Sequence, residues 1–330
     1  MGFRVLVTDL RHESTEREKR ILSSIDADVI AGFCETEEQV LEFGTDFDAL
    51  MVSYTPIGEK LFSKMPKLKV VVKYGVGYDN IDLDAATRWG VAVCNVRHHC
   101  IEEVSTHALG LLLCAVRRIC YLSNEVRNGV WRDDPSGLGI TRMKGKNLGI
   151  VGLGNIGSRF AEKVIPLGVN ILVYDPYIPK VKIEKKGYQR VNRLDELFSR
   201  SNFISIHCPL NDETRGIIST EVLSRSRALI LVNTARGAIV DNASVVRAIK
   251  NGEVSIYAAD VLSEEPPYRD DESLKFLLSS ESVILTPHYA WYSCESEEEL
   301  IEGTAQEVLN VLSGKKPRSL VNPEVQGRLK

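Results

Sequence analysis

The sequence predicts an α/β protein built from two doubly wound parallel-sheet domains. Three observations carry this. Short runs rich in Val and Ile alternate with amphipathic stretches along nearly the whole chain, as buried parallel strands and their crossover helices do. The alternation is interrupted by a polar, Gly- and Pro-containing connection, RNGVWRDDPSGLG at 127–139, and then resumes. The 330 residues suffice for about two domains, each with its own core.

The first series has strands expected at 5–7, 28–30, 50–52, 70–72 and 91–94, with helical patterns at 38–43 and 84–89. A long apolar helix is expected over 102–121. Apolar residues cover most of its faces, so it should be buried, with a second subunit as one candidate cover. The second series places strands at 148–151, 171–174, 203–206, 229–232, 256–259 and 283–285. A last helix at 296–312 follows the sixth strand. It is expected to return to the first domain, which is short of helices. The expected domains are therefore 1–100 with 297–330, and 101–296 with the apolar helix.

Composition excludes several function classes. With 44% hydrophobic and 26% charged residues and a net charge of -4, the chain is an ordinary globular one without the charge to attract nucleic acid. No apolar run approaches the ~20 residues of a membrane span. The start, MGFRVLVTDL, enters a strand directly and lacks a cleavage pattern; Leu6 stands where myristoylation wants Ser or Thr. The seven cysteines, 34, 94, 100, 114, 120, 208 and 294, form no CxxC pair and read as thiols of a reducing cytoplasm. Cys94, His98, His99 and Cys100 have no zinc spacing, and no metal is expected.

The first strand of the second series ends in VGLGNIG. Gly152, Gly154 and Gly157 form GxGxxG between a strand and a helix expected over 156–167, with Asn155 and Ile156 in the turn. Such glycines let backbone amides approach a pyrophosphate, and the helix N-terminus adds positive potential. The next strand ends at Asp175, 18 residues after Gly157, the place for a carboxylate that holds both ribose hydroxyls. It would repel a 2′-phosphate, so NAD is expected rather than NADP. The alternative role for Asp175 is a cap ahead of Pro176.

The other polar residues fall at carboxyl ends of strands, where such sheets bind ligands. His207 and Pro209 follow the third strand and suit the adenosine side. Thr234, Ala235 and Arg236 follow the fourth, in NTARG. Asp260 and Glu265 follow the fifth, in DVLSEEPP, and His288 follows the sixth, in TPHYAWYS. An arginine, a glutamate and a histidine thus converge on one edge. Hydride transfer to a carbonyl leaves an alkoxide that needs a proton. A histidine supplies it, a carboxylate stabilises the imidazolium, and a fixed arginine holds a carboxylate and polarises the carbonyl. Asp260 either holds the nicotinamide amide or orders its loop.

In this order, GLGNIG, YDP, HCPLNDETRG, VNTARG, DVLSEEP and TPH resemble the D-isomer-specific 2-hydroxyacid dehydrogenase family, as does YGVGYDNIDLDAA in the first domain. The resemblance spans nearly the whole chain. It implies a discontinuous flavodoxin-like substrate domain, a Rossmann-like dinucleotide-binding domain, NAD as cofactor, Arg236, Glu265 and His288 as catalytic residues, and a homodimer. It also implies substrate-carboxylate contacts from the amides of Val76 and Gly77. Leu262 stands where the family commonly has Phe. AVCNV, YDPY and TPHYAWYS are similar to the C-terminal binding protein branch. That likeness implies that Trp291 lines the substrate pocket and that Lys73 contacts the substrate carboxylate, in a place where the corepressors have arginine. Tyr289 and Tyr292 either extend the apolar wall or pack a hinge. Arg97, His98 and His99 either form a solvated loop or meet a second anionic group of the substrate. The expected activity is an NAD-dependent interconversion of 2-oxo and D-2-hydroxy acids. The competing reading is an NAD(H)-sensing, corepressor-like scaffold. The glutamate at 265 weighs against formate oxidation, which in this family goes with glutamine.

Overall fold

In the computed structural model, residues 2–267 and 271–325 are described. The chain divides into two compact units, Met1–Cys100 with Ser293–Lys330, and Ile101–Tyr292.

The first unit alternates strand and helix: β1 (Arg4–Val7), α1 (Glu16–Leu22), β2 (Asp28–Ala31), α2 (Glu37–Glu42), β3 (Ala49–Val52), α3 (Glu59–Lys64), β4 (Val70–Lys73), α4 (Leu83–Trp89) and β5 (Ala92–Cys94). All strands pair in parallel in the order β2-β1-β3-β4-β5, the flavodoxin-like arrangement. Sequence sets the helix starts. Thr36 and Gln39 form a capping box ahead of α2, and the Asp82 carboxylate accepts from the Ala85 amide ahead of α4. Leu6, Leu50, Val52, Val71 and Val93 are wholly buried under Leu61, Phe62 and Ala85. The last helix of the chain belongs to this unit and packs on α1, β3 and β4. It buries Leu300, Ile301, Ala305 and Val308.

The second unit opens with α5 (Ile101–Arg117) and α6 (Ile119–Arg127). The single helix expected over 102–121 is therefore broken. Arg118 adopts a left-handed φ of 55°. Its Nε donates to the Leu138 carbonyl, and its guanidinium lies 5.4 Å from the centre of the Tyr121 ring. The Leu138 contact comes from outside the helical pattern, where periodicity gives no sign of it. One face of α5 is covered, through Val104, Ala108, Leu111, Leu112, Ala115 and Val116, and α6 buries nothing.

There follow β6 (Asn147–Val151), α7 (Asn155–Val164), β7 (Asn170–Tyr174), α8 (Lys180–Lys185), β8 (Gln189–Arg190), α9 (Leu194–Arg200), β9 (Phe203–Ile206), α10 (Thr220–Leu223), β10 (Leu229–Asn233), α11 (Asn242–Lys250), β11 (Val254–Ala259), α12 (Glu272–Ser279), β12 (Val283–Leu285) and, in the first unit, α13 (Cys294–Leu312). The sheet is parallel, in the order β12-β11-β10-β9-β6-β7-β8. That is the Rossmann order with a seventh strand. Six strands were expected. The extra one, β8, is a two-residue polar edge that no apolar run signals. Helix α7 stops at Val164, because Pro166 diverts 165–167 into a 3₁₀ turn. Strand order reverses between β6 and β9, so the ligand crevice of this sheet opens beside the β6–α7 turn.

Candidate active site

The β6–α7 turn is shaped by close approach. Gly152 has φ +87°, and a Cβ there would stand 2.7 Å from the Cys208 amide nitrogen. A Cβ at Gly157 would stand 2.2 Å from the Gly152 carbonyl oxygen. Gly154 differs: a Cβ there meets nothing within 4 Å, so its free side faces open space at the start of α7. A bare turn, an open approach and a helix N-terminus together make an anion cradle. Asp175, at the end of β7, is buried. Its Oδ2 accepts from Leu153 N at 2.8 Å, and its Oδ1 accepts from Tyr177 N at 2.9 Å and Ile178 N at 3.1 Å. The cap and the ribose carboxylate are thus compatible roles. Three amides fix the group and a lone pair remains.

His207, after β9, packs its ring on Phe160 at 4.9 Å, and Nε2 lies 2.9 Å from Ser205 Oγ. Burial pushes it down to about 3, so the ring is neutral. Pro209 is exposed beside it. After β10, the Asn233 side chain holds the turn: Oδ1 accepts from Ala235 N and Nδ2 donates to the Arg236 carbonyl, both at 3.0 Å. Gly237 brings this turn against the loop after β11, where a Cβ would stand 1.9 Å from the Leu262 carbonyl carbon. The Thr234 hydroxyl is buried without a hydrogen-bond partner. A buried orphan hydroxyl at the mouth of the crevice, together with the open Gly154 cradle, fits a bound dinucleotide.

Asp260 organises the loop after β12. It is 1% exposed. Its carboxylate accepts from the Thr286 hydroxyl, from Tyr289 N at 3.0 Å and from Ala290 N at 2.8 Å, while its carbonyl accepts from His288 N at 2.8 Å. Wrapped this way, His288 takes φ +60°. Its Nδ1 lies 2.5 Å from Glu265 Oε2, and Glu265 Oε1 accepts from Leu262 N at 2.8 Å. Burial opposes the charge on Glu265. The hydrogen bond and charge of His288, the Leu262 amide and the Arg236 charge outweigh it, and the carboxyl is held below its ordinary value. Trp291 and Tyr292 meet edge to face at 5.5 Å. Tyr289 is 64% exposed and Tyr292 is 49% exposed.

In the first unit, Lys73 closes β4 and is buried. Asn95 Nδ2 holds the Val76 carbonyl at 2.6 Å, and the Gly75 carbonyl accepts from Val96 N at 3.0 Å. Among the described residues the Val76 and Gly77 amides have no partner. In the loop 97–99, Arg97 and His98 are exposed and His99 is not. His99 is buried on Ser296 Oγ at 2.9 Å, and burial pushes it down to about 4. Arg97 donates to Asn95 Oδ1 and to the Leu320 carbonyl.

A family model described as D-isomer specific 2-hydroxyacid dehydrogenase, NAD binding domain, matches residues 109–290. The chain belongs to that family. Within it, the chain is 37% identical over 294 residues to a glyoxylate reductase of Korarchaeum cryptofilum, covering 88% of this chain and 87% of that protein. It is 36% identical over 322 residues to a D-3-phosphoglycerate dehydrogenase of Methanocaldococcus jannaschii, covering 97% of this chain and 59% of that one. The chain spans between about half and three-fifths of the phosphoglycerate dehydrogenases it matches. The crystal structure of a D-lactate dehydrogenase from Aquifex aeolicus complexed with NAD and lactic acid superposes with a TM-score of 0.85 at 28% identity, covering 96% and 99% of the two chains. The NAD-binding domain of this 2-hydroxyacid dehydrogenase family member therefore lies in the second unit.

Two side chains at this site went unnoticed in the sequence. His107, from the middle of α5, places Nε2 2.9 Å from Thr286 Oγ1 and 3.6 Å from Asp260 Oδ1. A lone histidine and a lone threonine in a loop carry no signal. Their meeting is set by how α5 crosses the end of the sheet.

Proposed function

We propose that the protein is an NAD-dependent reductase of 2-oxo acids, working reversibly on the matching D-2-hydroxy acids, with the first unit as its substrate domain. The observation that carries this is the His288–Glu265 pair beside Arg236 at the strand ends of an NAD-binding domain. The cradle of Gly152, Gly154, Asn155, Ile156 and Gly157 would hold the pyrophosphate, and Asp175 the adenosine ribose. His207 and Pro209 would flank the adenosine; Thr234, Ala235 and Asp260 would meet the nicotinamide side. The cofactor, when bound, supplies a hydride to the carbonyl carbon.

With Nδ1 occupied by Glu265, His288 has Nε2 for the substrate. Nε2 gives its proton to the alkoxide oxygen as the carbonyl becomes an alcohol, and recovers it in reverse. Glu265, ionised and held by Leu262 N, stabilises the imidazolium. Arg236 binds the substrate carboxylate and polarises the carbonyl. In the first unit, the Val76 and Gly77 amides and the Lys73 ammonium are the candidates for contacts to a substrate carboxylate, and Trp291 excludes water from the reacting carbon. Ile119, Val126, Val130 and Trp131 are exposed, Trp131 to 80%, and they support a homodimer that covers this stretch. No helix among the described residues is long and apolar enough to cross a membrane, which is compatible with a cytoplasmic enzyme.

The test is NADH oxidation by purified protein against small aliphatic, aromatic, thioether, dicarboxylic and phosphorylated 2-oxo acids. Turnover of one class establishes the activity. Tight NADH binding without turnover of any class would replace it with the corepressor-like scaffold.

A further inference from the structure

In the second unit, β6 lies between β9 and β7. The loops after β7 and β9 therefore leave the sheet two strand spacings apart, roughly 10 Å, on either side of the β6–α7 turn. One side chain from each loop meets the other across that gap. The Tyr177 hydroxyl, two residues past Asp175, donates to Glu213 Oε2, in the loop after β9. A tyrosine and a glutamate laid end to end have that reach. Their bond thus runs over the carboxyl end of β6, where the dinucleotide crevice of this sheet opens.

Both ends of this bridge stand on fixed backbone. Tyr177 N and Ile178 N donate to Asp175 Oδ1 at 2.9 and 3.1 Å. Glu213 sits in a turn closed on itself. Thr214 N donates to Asn211 Oδ1 at 3.0 Å, Asn211 N donates to Thr214 Oγ1 at 2.9 Å, and the Thr214 hydroxyl donates to the Pro209 carbonyl at 2.7 Å. The span between the two loops is free to move by contrast. Tyr177 is 71% exposed and Glu213 is exposed too, so the bond opens when either side chain rotates, with no change in the backbone. By accepting the phenol's hydrogen bond, Glu213 holds Tyr177 above its ordinary value, and the hydroxyl remains a donor throughout the neutral range.

We propose that the Tyr177–Glu213 hydrogen bond is a gate on cofactor exchange: it closes the Asp175 end of the crevice both before and after the dinucleotide binds, and the cofactor enters and leaves only while it is open. This goes beyond the reductase reading, because it rests on the NAD-binding domain alone and on no 2-oxo acid. Rotation of exposed side chains is much faster than association, so the rates of entry and of exit are both scaled by the fraction of time the bond is open. A bond that only helped to hold the cofactor would slow release and leave entry alone.

Stopped-flow fluorescence of the full chain with NADH tells these apart. Tyr177→Phe keeps the ring and removes the donor. Its kon and koff should both rise about two- to fivefold, the scale of one exposed hydrogen bond, with Kd within about twofold of the parent. Glu213→Ala should do the same, and the double variant should be no faster than either single one, because both remove one bond. Glu213→Gln removes the charge but keeps an acceptor, and should stay closer to the parent. Unchanged rates in Tyr177→Phe overturn the gate. So does a rise in koff alone, which makes the bond a contact to bound cofactor, or a rise in kon alone, which makes it an obstruction of the free protein only. Rises confined to the Glu213 variants would trace the effect to lost charge and overturn the gate as well. A parent protein that binds no NADH removes the phosphate cradle and the gate with it. The rates are measured without turnover, so a failure of 2-oxo acid reduction leaves the gate standing, and a failure of the gate leaves the reductase standing.

Discussion

His288 Nδ1 lies 2.5 Å from Oε2 of Glu265, a residue 23 positions earlier in the chain, and the Leu262 amide holds the other carboxylate oxygen. The carboxyl is held below its ordinary value, so it stays ionised as pH falls until that lowered value is reached. What the pairing contributes is therefore present at neutral pH and lost only on the acid side of the usual glutamate range. Glu265→Gln keeps the shape and removes the charge. The protonated ring is then less favoured, so the acidic limb of kcat/KM for hydroxy-acid oxidation should move to lower pH. A pH–rate profile that does not move would take Glu265 out of proton transfer.

His288→Ala should remove most turnover and leave NADH affinity nearly intact, because His288 is held by the Asp260 carbonyl and Glu265 and bonds none of the residues of the phosphate cradle. Fluorescence titration with NADH checks this. A large loss of affinity would make His288 a structural residue of the loop.

Arg236→Lys keeps the charge but loses the planar fork. It should cost ~2–4 kcal/mol of transition-state stabilisation, the scale of one lost anion-stabilising donor. The measurement is kcat/KM for the best 2-oxo acid, and an unchanged value would remove Arg236 from the mechanism.

Asp175→Ala should weaken the preference for NADH over NADPH. It should also lower the Tm, because three backbone amides lose their acceptor, at about 1–3 kcal/mol in all if water satisfies most of them. A lower Tm with an unchanged NADH/NADPH ratio would leave Asp175 as a cap alone.

What could be read from the sequence follows from what each feature depends on. Parallel strands buried on both faces are apolar at every position, as β3 is at Ala49–Val52, and they show directly. Gly152 and Gly157 show because a turn this tight excludes side chains. Arg236, Glu265 and His288 show as strand-end residues because the sheet delivers them to one edge. Features that depend on contacts between distant residues do not show. At the break, Arg118 donates to the Leu138 carbonyl, 20 residues away, and the burial of His99 depends on Ser296, 197 residues away. The bond from Tyr177 to Glu213 requires knowing that β7 and β9 flank β6.

His107 illustrates the same point and is testable. It bonds Thr286, whose hydroxyl donates to the Asp260 carboxylate that shapes the His288 loop. His107→Phe should lower kcat roughly three- to tenfold, as expected for one hydrogen bond lost from a positioning network. The KM for NADH should change less, because the ring touches no residue of the phosphate cradle. His107→Gln, which retains a polar end, should recover part of kcat. A uniform loss of kcat and NADH affinity in both variants would mean that α5 has shifted as a whole.

The two glycines of the phosphate turn should separate folding from binding. A Cβ at Gly157 would stand 2.2 Å from the Gly152 carbonyl oxygen, so Gly157→Ala must push backbone against backbone. It should destabilise the second unit by ~1–3 kcal/mol, seen as a lower Tm without any ligand. At Gly154 the backbone has φ -67°, open to any residue, and the new methyl meets no protein atom within 4 Å. Gly154→Ala should therefore leave the ligand-free Tm within about 0.5 kcal/mol of the parent in stability terms. Its methyl would instead occupy the space assigned to the pyrophosphate, and NADH affinity should fall at least tenfold, by ~1.4 kcal/mol or more. Thermal unfolding with and without NADH measures both effects in one experiment. If Gly154→Ala kept its NADH-induced rise in Tm, the open side of Gly154 would not be the approach for the phosphates, and the cradle would have to lie elsewhere along the β6–α7 turn.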